Sequence, residues 1–117
     1  MLRIVATLGA VGIVSLAALQ APPQEAPGKD LYGRYCASCH GQTGVPTKLA
    51  LATWTTIPVL SAPEFLAARS DDSLVAVTHA GVGKDMPARK DKLTREQLLE
   101  IARHVRSLGD KAPHDSR

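Results

Sequence analysis

The sequence predicts a small all-α domain with long irregular connections, and three observations carry that expectation. No segment alternates apolar and polar residues as a half-buried strand must. After Thr94 the residues Leu98, Ile101, Ala102, Val105 and Leu108 recur on one helical face. Nine glycines and eight prolines interrupt the rest of the 117 residues, so only short helices fit between them.

The elements follow in chain order. Lys29 to Cys36 has Asp30 near its start and Leu31, Tyr32 and Tyr35 on one helical face, which reads as a short first helix. Gly41 to Ala62 holds Gly41, Gly44, Pro46 and Pro58 and is expected to be mostly loop, with one helical turn at Leu49 to Ala52. Pro63 to Ala68 has Pro at a first-turn position and forms a brief helix. Ser70 is an N-cap, with Asp71 and Asp72 in the first turn of a helix that ends near Gly81. Thr94 and Gln97 form a capping box for the last helix, and Gly109 is expected to stop it.

The folded domain is expected over residues 28–109, between a Pro-rich linker at 22–27 and a flexible tail at 110–117. Residues 1–21 read as a targeting segment: Arg3 supplies a short positive start and Ile4 to Leu19 are uncharged. Cleavage after Ala17 fits the small-x-small rule better than cleavage after Ala21. As a helix those sixteen residues span roughly 24 Å, short of a hydrocarbon core of about 30 Å unless Gln20 and Ala21 extend them. A removed signal peptide and an uncleaved membrane tether through residues 4–21 are therefore both open. Either places the domain outside the cytoplasm, in the periplasm, soluble or anchored.

Charge excludes one class of partner. The net charge is +3 from 14 basic and 11 acidic residues, and no basic run alternates with aromatics, so no nucleic-acid partner is expected. Composition raises a second question. Trp54, Phe65, Tyr32 and Tyr35 are the only large aromatics, which leaves little bulk for a core. Small domains usually need a metal, disulfides or a cofactor, and two cysteines cannot make a disulfide framework.

Cys36-Ala37-Ser38-Cys39-His40 answers it, because C-x-x-C-H is the pattern of c-type haem attachment. At a helix end, two cysteines three apart can reach both vinyl groups on one porphyrin edge as thioethers. The adjacent histidine is then carried under the iron as its proximal ligand. A zinc site would need two more ligands, and His79, His104 and His114 have no paired spacing. A thioredoxin-like C-x-x-C expects a βαβ setting, and no strand is visible. A covalent macrocycle would also supply the missing core.

With that motif in place, the chain resembles the class I, single-haem cytochrome c family over roughly Gly28 to Leu108. The matching stretches are Gly28-Lys29-Asp30-Leu31-Tyr32 leading into Cys36-Ala37-Ser38-Cys39-His40-Gly41, then Ala80 through Pro87, then Leu98 through Leu108. The resemblance implies a small cytochrome c-like helical domain wrapped around one covalent haem c. It implies Met86, followed by Pro87, as distal iron ligand. Met86 is also the only methionine besides Met1, and it sits in a loop bracketed by Gly and Pro. Two tight ligands leave no open position, and the soft thioether raises the potential.

The resemblance further implies that Gly28 and Tyr32 of the first helix meet an aromatic residue of the last, where this chain has His104. It implies that a loop proline carbonyl accepts from His40 Nδ1, for which Pro46 and Pro58 compete. Tyr32, Pro46, Pro58, Pro87 and Ile101 are thus the candidate haem-pocket residues. Lys84, Arg89, Lys90 and Lys92 against Asp85 and Asp91 give the Met86 region an excess of +2, suited to steering an acidic redox partner.

The resulting expectation is a periplasmic carrier of single electrons between redox proteins, with no catalytic residues of its own. Its partners would include a membrane oxidase or dehydrogenase, of which it is alternatively a tethered subunit. Another alternative is a haem-based sensor or peroxidase-like protein in which Met86 dissociates. Asp85 is the one acid-base residue beside Met86 in sequence.

Overall fold

The computed structural model describes residues 27–112 together with Gly9 and Gly12. The signal or anchor segment, the linker before Pro27 and the tail from residue 113 lie outside the described residues. Six helices follow one another: α1 (Pro27–Tyr35), α2 (Ala37–His40), α3 (Lys48–Thr53), α4 (Pro63–Ala67), α5 (Asp71–Ala80) and α6 (Arg95–Lys111). Among the described residues there is no strand beyond an isolated antiparallel bridge between Val82 and Met86. The protein is all-α, and among those residues no helix is long and apolar enough to cross a membrane.

Local chemistry accounts for the helix starts. Thr47 Oγ1 accepts from Ala50 N at 3.1 Å and opens α3. Ser70 Oγ accepts from Ser73 N at 3.1 Å and opens α5. At α6 the capping box is complete: Gln97 N donates to Thr94 Oγ1 at 3.2 Å, and Thr94 N donates to Gln97 Oε1 at 2.9 Å.

Three boundaries differ from the sequence expectation. Pro27, read as linker, is the first residue of α1, a position where a missing N–H costs nothing. The expected first helix ends at Tyr35, and the chain turns at Cys36 before α2 restarts it. The last helix passes Gly109 and ends at Lys111, so Asp110 and Lys111 are helical rather than tail. A Cβ at Gly109 would meet Leu66 Cδ1, the end of a side chain that would have to turn aside.

The core is aliphatic and centred on α6. Leu98, Ile101, Ala102, Val105 and Leu108 are buried against Leu74 and Val75 of α5 and Tyr32 of α1. Where α1 crosses α6 the backbones meet, because a Cβ on Gly28 would run into the Glu100 carbonyl. Tyr32 and His104 stack at the crossing with ring centroids 5.0 Å apart and a 52° interplanar angle. His104 therefore occupies the place of the aromatic that the resemblance implies. On the far side, Arg106 pairs with Asp71 and donates to Leu66 O at 3.2 Å, which fixes the α4–α5 corner to α6.

Burial, with Lys111 and Lys29 adding repulsion, lowers the His104 imidazole pKa from its ordinary 6.5. The unfolded chain then holds that proton more tightly than the folded domain. The contribution is intact above pH ~6.5 and is lost as the pH falls from there through the folded pKa. His104→Phe is expected to flatten the fall in melting temperature between pH 7 and pH 5, read by circular dichroism. A second test uses two glycines of α1. Gly28→Ala should cost about 1–3 kcal/mol through the overlap with α6, whereas Gly33→Ala, with nothing within 4 Å, should add about 0.5–1 kcal/mol. Urea midpoints moving in opposite directions would confirm the crossing.

Candidate functional site

Tyr35 ends α1 and Cys36 takes the N-cap position of α2, at φ −127° and ψ −39°. His40 N donates to Cys36 O at 2.9 Å and Cys39 N donates to the same oxygen at 3.2 Å. One turn therefore carries Cys36, Cys39 and His40, and positions three and four apart share a helix face. Both thiols are free and half-buried. Burial pushes the Cys36 thiol up to about 11, with the Arg89 guanidinium pulling partly against it. Such a thiol is a poor nucleophile at neutral pH, which argues against a dithiol redox centre.

Burial also lowers the His40 pKa and keeps the imidazole neutral, the form that binds iron. Its Nδ1 is buried and hydrogen-bonded to neither Pro46 nor Pro58 in this structure. Pro58 is exposed and Pro46 half-buried. The strand of chain between them is held by other bonds. Gly44 N donates to Gly41 O at 3.2 Å, Thr47 N to Cys39 O at 3.3 Å, and Leu60 N to Gly44 O at 2.8 Å.

The turn after His40 depends on Gly41, whose φ of 75° leaves no room for a Cβ against the Val45 carbonyl. Tyr32 braces it by donating from its hydroxyl to Gly41 O at 2.6 Å. Burial holds the Tyr32 phenol well above its ordinary pKa, so it stays a donor. Tyr32 thus ties α1 to the turn that ends the motif. Ile101, the other buried pocket candidate, lies in the core on α6.

Met86 lies on a separate loop after α5. Val82 N donates to Met86 O at 2.9 Å and Met86 N donates back to Val82 O at 3.2 Å. Met86 is half-buried and Pro87 exposed. Two contacts absent from the sequence expectation attach this loop to the rest. Trp54 Nε1 donates to Asp85 Oδ1 at 3.3 Å, and Arg89 Nη2 donates to Tyr35 O at 2.8 Å. Their partners are 31 and 54 residues apart in sequence, beyond any local signal.

The donor set and its surroundings fit a haem. A half-buried imidazole and two thiols share one turn, and the chain leaves apolar side chains outward near them. Val45, Leu49, Leu51 and Val59, between the motif and Leu60, are exposed, as is Val82 beside the Met86 loop. Leu49 is 83% exposed. A flat macrocycle would take such surface out of water at about 25 cal/mol per Å². Two clefts of about 390 Å³ lie by Asp30 and Glu100 and beside His104 and Lys111; neither is lined by Cys36, Cys39, His40 or Met86, and the second takes in Val45. Among the described residues no three His, Cys, Asp or Glu side chains gather as a metal site.

The family described as cytochrome c oxidase, cbb3-type, subunit III matches residues 23–105. The chain belongs to this c-type cytochrome family. A solved c-type cytochrome, KustC0563, is 30% identical with a TM-score of 0.63, over 69% of this chain and 95% of that one. No curated protein matches the sequence. Membership brings covalently bound haem c and haem-based electron transfer to this cytochrome domain.

Tyr32→Phe tests the brace without touching an iron ligand. Removing the shorter of the two hydrogen bonds that the Gly41 carbonyl accepts, the other coming from Gly44 N, is expected to cost about 0.5–1.5 kcal/mol, read as a lower urea midpoint with the visible spectrum unchanged.

Proposed function

We propose that the protein is an exported class I cytochrome that passes single electrons between redox proteins through one haem c. Cys36 and Cys39 would hold the haem as thioethers, His40 would be the proximal ligand and Met86 the distal one. The observation that carries this reading is the single helical turn bearing both thiols and a half-buried imidazole whose pKa burial lowers. When bound, the haem supplies reversible one-electron chemistry at iron.

The protein's own residues bind, orient and shield. Tyr32 and Gly41 fix the turn that follows His40, so the imidazole enters the site from one direction. The Val82–Met86 pair shapes the loop that offers the thioether. A soft sulfur donor favours ferrous iron and raises the potential. Lys84, Lys90 and Lys92 are exposed around this loop and suit an acidic partner surface, where they raise encounter rates more than affinity.

The family description favours a second form of the same reading, in which the domain works inside or beside a membrane oxidase. The N-terminal segment, as signal or tether, fits either form and a periplasmic location. The sensor or peroxidase-like alternative needs an acid-base group near Met86, and Asp85 there already accepts from Trp54.

Met86→Ala is expected to keep the haem covalent and lower the midpoint potential by on the order of 100 mV, within the roughly 0.8 V that axial ligands span. A potentiometric titration with an unchanged midpoint would remove Met86 from the iron. Exchanging both Cys36 and Cys39 for Ala should make the haem extractable by acidified acetone, while the unmodified protein retains it.

A further inference from the structure

We propose that Arg89 is the positioning residue of the distal ligand, latching the Met86 loop to the end of the helix that carries the haem-attachment turn. Its effect on ligation rests on the assignment of Met86 above; its effect on the loop does not.

The backbone of Arg89 is anchored first. Its N–H donates to Thr78 O in the last turns of α5 at 3.0 Å, and its carbonyl accepts from Lys92 N and Leu93 N, both at 2.9 Å. From that fixed point the side chain crosses to α1. Nη2 donates to Tyr35 O at 2.8 Å, and the guanidinium carbon stands 5.5 Å from the centroid of the Tyr35 ring. Tyr35 is the last residue of α1 and the neighbour of Cys36.

This is a favourable place for a cation. The final carbonyls of a helix have no intrahelical donor and carry the negative end of its dipole. A charged donor there makes a shorter, stronger bond than a neutral one. The planar guanidinium also stacks on the ring while it donates, which an ammonium does poorly. Of the four basic residues between 84 and 92, Arg89 is half-buried while Lys84, Lys90 and Lys92 are exposed. Arg89 therefore leaves the surface patch counted from sequence, whose excess falls to +1.

The other attachments of the loop are weaker by position. The Val82–Met86 bonds are internal to it, and the Trp54–Asp85 bond is 3.3 Å and exposed. Arg89 is the half-buried tie from the loop to the element bearing Cys36. Its guanidinium lies near enough to act on the Cys36 thiol. Met86 and the Cys36–Cys39–His40 turn are far apart in sequence, and Arg89, three residues after the methionine, ties the one to the helix end beside the other.

The test compares the haem-loaded wild type with Arg89→Leu, Arg89→Gln and Met86→Ala by amide hydrogen exchange and by carbon monoxide binding to the dithionite-reduced protein. In Arg89→Leu the Val82 and Met86 amides should exchange roughly tenfold faster, a factor worth about 1.4 kcal/mol, while Leu98 and Ile101 stay protected. Arg89→Gln, which keeps one neutral donor, should fall between. Carbon monoxide should leave the wild-type Soret band in place, shift that of Arg89→Leu slowly and shift that of Met86→Ala fastest. Unchanged exchange at Val82 and Met86 would overturn the latch. So would uniform loss of protection reaching Leu98 and Ile101, which would make Arg89 a support of the whole domain. If Met86→Ala left carbon monoxide binding unchanged, the ligand assignment would fall, and exchange at Val82 and Met86 would still decide the latch.

Discussion

Gly28 lets α1 lie directly on the backbone of α6, and the position of the chemistry follows from that crossing. With a larger residue there α1 would have to lift from α6, and everything attached to it would move. Tyr32, one turn along, fills the crossing with its ring against His104 and sends its hydroxyl to Gly41. The same side chain thus sets the helix pair and the exit from the attachment turn. Cys36, Cys39 and His40 sit between those two restraints, at the end of α1 and within α2. On the proposed reading the site would hold two covalent bonds and one axial ligand on a single group, which tolerates little drift, and the crossing limits it.

The core around that crossing is small and aliphatic. Leucine, isoleucine, valine and alanine of α5 and α6 supply most of it, with Tyr32 as the one fully buried aromatic. Several apolar side chains between Gly41 and Leu60 instead point outward. In a domain of this size such an arrangement is a poor way to gain stability from the chain alone. It is a sensible way to surround a large apolar cofactor. Membership of a c-type cytochrome family supplies that cofactor, a group the sequence does not encode.

Much of this was legible in the sequence, for physical reasons that can be named. The amphipathic stripe and capping box of α6 and the Ser70 cap are local signals, and each is present as read; the C-x-x-C-H spacing is equally local and underlies the proposed attachment. Gly109 misled because a glycine after the last apolar repeat resembles a stop, whereas the backbone there stays helical through Lys111. The break between α1 and α2 depends on a turn at Cys36 that no propensity marks. The choice between Pro46 and Pro58 as acceptor for His40 was not legible because it depends on the path of the intervening loop, which hydrogen bonds from Gly44, Thr47 and Leu60 help to set. The ties from Arg89 and Trp54 were invisible because their partners are remote. Arg89 looked like surface charge in a basic run, and only its burial and its bond to Tyr35 reveal an inward role.

The central claim is that the iron of this cytochrome domain is held on both sides, by His40 and Met86. The visible spectrum of the dithionite-reduced protein, recorded before and after carbon monoxide, tests it most directly. The account predicts a low-spin c-type spectrum that the gas leaves unchanged. A Soret band that shifts promptly on adding carbon monoxide would contradict it, because an axial position would then be open.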